Sequence, residues 1–358
     1  MNDIAARLHT FCSRFGLRVP ILLAPMAGAC PPALSIAVAN AGGMGAAGVL
    51  LLQPDAIADW VAQFRAASNG SLQLNLWIPD PAPVRDAAHE AKVRAFLGDW
   101  GPAVADDAGD APLVDFAAQC EAMLAAQPSV ISSIMGLYPP DFVARMKQRG
   151  IAWFATVTTV AEARQAEAAG ADVVIAQGAE AGGHRGAFVS DRAEREAVGL
   201  FALLPAVVDA VRVPVVAAGG IADGRSAAAA FLLGASAVVI GTGFLRSPEA
   251  GIAPAWADAL AAARPEDTML TRAFSGRAGR ALATDYARAA AAPDAPAPAP
   301  YPVQRALTAQ MRAESSAKND ITRMQAWSGQ SAAYARAQPA ASIVDQIWNT
   351  ARLALQLR

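Results

Sequence analysis

Three stretches of this chain set glycines beside groups that can do chemistry. Ala218-Gly219-Gly220-Ile221-Ala222-Asp223-Gly224 and Ile240-Gly241-Thr242-Gly243 each close a short apolar run. Glycine lets backbone N–H groups come close to an anion, and a helix N-terminus that follows adds a favourable dipole. Two such ends together predict a cradle for one phosphate. The third stretch, Gln177-Gly178-Ala179-Glu180-Ala181-Gly182-Gly183-His184-Arg185-Gly186, contains one of only three histidines. An imidazole on a mobile-looking glycine loop can reach a substrate carbon and act as a general base near neutral pH. His184 is therefore the candidate catalytic base. Glu180 in the same loop is either a second acid or base or a hydrogen-bonding brace, whereas His9 and His89 read as surface or packing residues.

Two weaker signals lie upstream. Ala24-Pro25-Met26-Ala27-Gly28 offers an apolar face for an aromatic ring system, with the backbone of Met26 and Ala27 as hydrogen-bonding groups, and Leu74-Asn75-Leu76 adds an amide. With a single phosphate cradle these describe a flavin mononucleotide site better than a dinucleotide site. Gly43-Met44-Gly45-Ala46-Ala47-Gly48 satisfies a dinucleotide-type glycine pattern, but Val49-Leu50-Leu51-Leu52 and Pro54 follow it instead of a helix, so it is set aside. The chain has no G-x-S-x-G elbow, and its scattered histidines and cysteines predict no metal site.

Such residues need a scaffold that brings loop ends together. Short apolar runs alternate with Ala-rich helical patterns, and eight candidate strands emerge at 21–25, 44–48, 72–77, 129–135, 151–157, 172–177, 213–218 and 237–241. Their continuous apolar character suits parallel strands covered on both faces. The expected fold is a (β/α)8 TIM barrel, an α/β fold whose sites gather at the C-terminal ends of the strands. Gly170 and Gly234 stand where helix ends need positive φ. Two places break the rhythm: a long polar connection at 79–112, and the segment from 246 to 330, which holds Pro293, Pro296, Pro298, Pro300 and Pro302 in an extended stretch. The expected organisation is a barrel over 1–245, a smaller C-terminal cap domain over 246–330 carrying the substrate side, and a helix over 331–358 that returns to the barrel through Ile343, Ile347, Leu353 and Leu357.

Composition narrows the partners. The chain has 358 residues, 29 Lys plus Arg against 31 Asp plus Glu, a net charge of −2 and 54% hydrophobic residues. Without a basic stripe, nucleic acid and anionic membranes are poor partners, and a small molecule is expected. Cys12, Cys30 and Cys120 suggest no disulfide framework and fit a reducing cytoplasm. Charged residues interrupt the N-terminus, which predicts no export signal, and prolines and glycines break the uncharged run 19–54, which predicts no membrane span.

Ala24-Pro25-Met26, the stretch from Gly170 through Gln177 to His184, the run from Pro214 to Phe244 and Trp327-Ser328-Gly329-Gln330 together resemble the nitronate monooxygenase family, formerly called 2-nitropropane dioxygenases. The resemblance implies FMN-dependent oxidation of alkyl nitronates by O2 to a carbonyl compound and nitrite, with His184 as base. It also implies a flavin lined by Met26, Ala27, Asn75, Gln177, Gly182, Gly183, Gly219, Gly220, Gly241, Thr242 and Gln330. Substrate contacts would come from Tyr301 and Arg305, and Trp327 would pack either against the flavin edge or in the core. Related barrels include NAD(P)H-dependent flavin reductases of quinones or enoyl thioesters, and a flavin-binding sensor without catalysis is the reading of another class.

Overall fold

The computed structural model describes residues 2–357. Met1 and Arg358, the outermost positions of the ranges expected above, lie outside the described residues. Eight parallel strands form the centre: β1 (Ile21–Leu23), β2 (Gly45–Gly48), β3 (Leu72–Trp77), β4 (Val130–Ile134), β5 (Ala152–Val157), β6 (Val173–Gln177), β8 (Val215–Ala218) and β9 (Ala237–Ile240). A two-residue strand, β7 (Gly183–His184), falls between β6 and β8 in the chain but lies outside this sheet. The eight pair in the order β1-β9-β8-β6-β5-β4-β3-β2, and a bridge between Leu22 and Met44 brings β1 against β2. The result is the (β/α)8 barrel that the sequence pattern requires.

Apolar residues on both faces of each strand account for two separate cores. One face packs against the surrounding helices, with Ile21, Leu23, Ile131, Ala155, Val174 and Ala217 in a single cluster. The other face fills the barrel, where Leu22, Met44, Val130, Phe154, Val216 and Val239 meet Phe11 and Phe15. These two phenylalanines belong to the helix Asn2–Phe15, and the Phe15 ring stands edge-on to Phe154 at 5.0 Å. The amphipathic N-terminal helix therefore plugs the end of the barrel where the strands begin, and leaves the opposite end for the site.

Local chemistry ends the helices where they are needed. Thr159 caps the helix Val160–Ala168, Asp223 and Ser226 form a reciprocal cap on Gly224–Leu232, and Gly170 and Gly234 follow the helix ends at φ of +94° and +107°. The helix Ala340–Ala354 returns to the barrel beside Gly224–Leu232, burying Ile343 and Ile347. Leu353, expected on the same buried stripe, is 70% exposed. Ten residues after Ile343, it has rotated off the face that Ile343 and Ile347 share.

Between these parts, the segment 246–330 contributes β10 (Thr268–Thr271) and β11 (Gly279–Leu282), which are antiparallel to each other, and β11 pairs in turn with β7. Phe274, Tyr286, Val303, Leu307 and Met311 from this segment share a third core with Val93 and Leu97. Val93 and Leu97 lie on the helix Ala87–Gly98, inside the stretch that composition reads as a polar connection. The Pro-rich stretch is held down: His89 Nε2 contacts Ala297 O at 2.7 Å, and Ala299 N donates to Gln304 Oε1 at 2.9 Å.

A test of the return helix follows from Gly224. A Cβ there would overlap Thr350 and stand 2.7 Å from Ile347 O, whereas a Cβ on Gly98 meets nothing within 4 Å. Gly224→Ala should lower unfolding stability by about 1–3 kcal/mol, the usual range for overpacking. Denaturant titration against Gly98→Ala as control measures it.

Candidate active site

Backbone packing at the open end of the barrel is tight enough to exclude side chains. A Cβ on Gly182 would overlap Gly329 N and come within 2.6 Å of Ser328 C, and one on Gly219 would lie 3.1 Å from Ala181 N. Gly219 and Gly220 adopt φ of +107° and +69°, in the left-handed region that glycine enters without strain. The loop after β6, the ends of β8 and β9 and the segment 327–331 thus meet in one place. Cross-bonds secure it: Gly329 N donates to Thr242 Oγ1 at 2.9 Å, Gln330 N to Glu180 O at 3.0 Å and Ser331 Oγ to Gly220 O at 2.6 Å.

Within this patch the backbone N–H groups of Gly219, Gly220, Gly241 and Thr242 donate to no protein acceptor among the described residues. Polar hydrogens left free on glycine-lined loops fit an anion with several acceptor oxygens, such as a phosphate. Met26 borders the same patch, since a Cβ on Gly241 would stand 3.4 Å from its sulfur. Ala27 N lies 2.9 Å from the corresponding position on Gly48, and Gly48 pairs in register with Asn75.

His184 sits at the edge of the patch, on β7. Its register opposite Gly279 of β11 fixes the backbone, and Gln177 fixes the loop from beneath. The Gln177 side chain donates from Nε2 to His184 O at 3.1 Å and accepts from Gly186 N at 2.8 Å, so both ends of the amide brace the histidine. The imidazole is half-buried between two indoles, with ring centroids 4.5 Å from Trp77 and 4.6 Å from Trp327, both edge-on. Its Nε2 is 2.7 Å from Ser275 Oγ. Burial, reinforced by the cations of Arg277, Arg305 and Arg312, pulls this imidazole down to about 3. A neutral ring can accept a proton, which is the state a general base requires.

Tyr301 and Arg305 come to the same place. The Tyr301 ring is 5.5 Å from Trp77, and Arg305 lies four residues further along, on the helix Val303–Leu307. Burial pushes the Tyr301 hydroxyl up. Arg277 pairs with Asp80 at 2.8 Å, whereas Arg305 and Arg312 have no acidic partner among the described residues.

Some residues have roles that their types alone did not reveal. Asn75 Nδ2 is spent on Ser132, at 2.9 Å from Oγ and 3.3 Å from the carbonyl oxygen, which leaves Oδ1 as its free acceptor. Glu180 accepts from Leu200 N at 2.9 and 3.0 Å and so caps the helix Leu200–Ala210, whose own N-cap residue is Gly199. Of the two readings for Glu180, the brace is the one the contacts bear out. Trp77, Ser275 and Arg277 were not singled out from sequence. Trp77 carried a usable signal, being an aromatic at the C-terminal end of a barrel strand; Ser275 and Arg277 carried none. No group of three or more His, Cys, Asp or Glu among the described residues could hold a metal ion.

A (β/α)8 barrel with glycine-lined ends after its last two strands and a histidine beside them has the layout on which barrel enzymes gather their sites. The chain belongs to the nitronate monooxygenase family, whose model matches residues 10–350. It is 38% identical over 339 residues to a nitronate monooxygenase of Paraburkholderia phytofirmans, covering 93% of this chain and 92% of that protein. Among solved structures it is similar to a nitroalkane oxidase from Streptomyces ansochromogenes, with TM-score 0.86 and 34% identity over 97% of this chain and 99% of that one. FabK from Thermotoga maritima shares the fold at TM-score 0.76 and 27% identity, with 97% of each chain covered.

The histidine's environment has a measurable consequence. With a folded midpoint near 3, below the ordinary value of about 6.5, the unfolded chain binds the extra proton first as pH falls. His184's contribution to stability is therefore full above pH 6.5 and is lost as pH drops toward 3. NMR should show the ring neutral from pH 8 down to 5, and acid destabilisation should be shallower in His184→Asn. A midpoint inside that window would contradict the burial argument.

Proposed function

We propose that this chain binds FMN and oxidises alkyl nitronates with O2 to a carbonyl compound and nitrite, with His184 as base. The observation that carries the reading is the meeting of two features at one mouth: the free N–H donors of Gly219, Gly220, Gly241 and Thr242, and the His184 imidazole held between Trp77 and Trp327 against Ser275. The N–H groups of Gly219, Gly220, Gly241 and Thr242 would hold the phosphate. Met26, Ala27, Asn75, Gln177, Gly182, Gly183 and Gln330 would line the rest. When bound, FMN supplies the electron acceptor for the substrate and the reactivity toward O2.

The chain's own residues then have distinct tasks. His184 takes the α-proton of a neutral nitroalkane at an imidazole nitrogen, or orients a substrate that arrives as the anion. Trp77 and Trp327 hold the ring edge-on and keep water from it. Arg305, half-buried without an acidic partner, attracts an anionic substrate, and Tyr301 borders the same space. The segment 246–330 serves as the cap that carries these substrate contacts. Three free, buried cysteines suit a reducing cytoplasm, and no helix among the described residues is long and apolar enough to cross a membrane.

Purified protein should be yellow and release FMN on denaturation, and Gly220→Val should weaken retention, because a branched side chain is strained at the left-handed φ that turns this N–H toward the phosphate. His184→Asn should lose about 10²–10⁴-fold on neutral nitroalkanes, the usual share of general-base assistance, and less on preformed nitronates, with FMN still bound. Steady-state oxygen consumption on both substrate forms decides it. Full activity of the variant on both would refute the base, and rapid flavin reduction by NADH with no response to nitronate would favour the reductase activity.

A further inference from the structure

The turn that holds the partner of His184 is itself held by an ion pair whose guanidinium is buried. Ser275, 1% exposed, contacts the imidazole at 2.7 Å and is locked to Arg277, donating from Oγ to Arg277 O at 3.2 Å and accepting from Arg277 N at 3.3 Å. The Arg277 guanidinium, 2% exposed, donates to Asp80 Oδ1 at 2.8 Å and to Ala187 O at 2.9 Å. Asp80 lies on the loop after β3, and Ala187 on the loop that continues from His184. Arg272, at the other end of the turn, holds the same loop through Glu194 at 2.7 Å and Ser190 O at 2.6 Å. Between them, Gly276 is pressed against the backbone of 299–301, where a Cβ would come 2.6 Å from Ala299 O.

We propose that Asp80 and Arg277 are positioning residues for His184: the pair fixes the 275–277 turn against two barrel loops and balances the positive charge that faces the imidazole. The inference rests on the reading of His184 as the base. The groups facing this ring are Ser275 and Arg277 from the turn, Arg305 and Arg312 from the helices Val303–Leu307 and Ala309–Ala317, and Trp77 and Trp327, with Tyr301 and Asp80 behind them. Arg277 leads the cations acting on the imidazole, ahead of Arg305 and Arg312, and Asp80 is the carboxylate paired with it. Burial raises the Asp80 carboxyl in spite of its partner and lowers the Arg277 guanidinium in spite of its own, so neither charge is surplus to the other.

The two halves of the pair act on the ring with opposite sign. Removing the cation uncovers a carboxylate and makes the imidazole easier to protonate; removing the carboxylate uncovers the cation and makes it harder. Loss of packing alone would move both variants the same way, since either one breaks the same ion pair. The chain has only three histidines, so the imidazole resonances can be assigned and followed in the full-length flavin-loaded protein.

Titrating His184 by NMR, we expect Arg277→Gln to raise its midpoint by about one unit or more, a tenfold change in proton affinity per unit. Asp80→Asn should leave the ring neutral to the lowest pH at which the fold survives. Arg277→Lys, which keeps the charge but not the two-pronged contact, should titrate like the wild type while losing turnover on neutral nitroalkanes. If a lone half-buried carboxylate prevents Arg277→Gln from folding, the double variant Asp80→Asn/Arg277→Gln leaves no lone charge and should still titrate above the wild type, because Arg277 leads the charges acting on the imidazole and Asp80 is not among the leading ones. Equal shifts of the same sign in Arg277→Gln and Asp80→Asn, or no shift in either the single or the double variant, would overturn the proposal. These titrations do not depend on which substrate is oxidised, so they can fail while the nitronate reading stands, and the reverse.

Discussion

Everything at the mouth of this barrel depends on how closely three stretches of backbone approach one another. Gly182 lies against Ser328 and Gly329 at separations no Cβ would permit, and Gly219 lies tightly against Ala181. That contact presses the loop after β6 between the barrel ends and the segment returning from 246–330. It leaves four N–H groups without protein acceptors and sets β7 where it can pair with β11. The four residues, Gly219, Gly220, Gly241 and Thr242, are half-exposed, so their N–H groups stay available to a group arriving from outside the fold. The histidine, its indole walls and its serine partner are all consequences of where that loop is forced to lie.

The barrel was legible in the sequence because its signal is local. A buried parallel strand must be apolar on both faces, so runs such as Val173-Val174-Ile175-Ala176 announce themselves, and the eight runs match the eight strands of the sheet. Glycine-rich strand ends were legible for the same reason. The His184 loop could be found as a loop, and its family resemblance covers nearly the whole chain.

What could not be read is what arrives from far away in the chain. Ser275 and Arg277 have no neighbours in sequence that mark them, yet one contacts His184 and the other spans 197 residues to reach Asp80. Gln177 sits at a strand end, and nothing nearby in sequence shows that its amide is bonded to His184 O and Gly186 N. Asn75 is similar, with its donor committed to Ser132. The stretch 79–112 reads as polar because its apolar residues are sparse, with Val93 and Leu97 buried and Phe96 and Trp100 packed beside them against a core built from elsewhere. In each case the residue type was visible and the partner was not.

The three-stranded sheet β10-β11-β7 has a mechanical consequence. Two of its strands belong to the segment 246–330 and the third is the histidine's own pair of residues, so the sheet stitches that segment to the barrel through backbone hydrogen bonds. A lid that swung away on a hinge would have to tear His184 from Gly279, and would carry Ser275 away from the ring in the same movement. Any opening that leaves this sheet intact therefore keeps His184, Gly279 and Ser275 together.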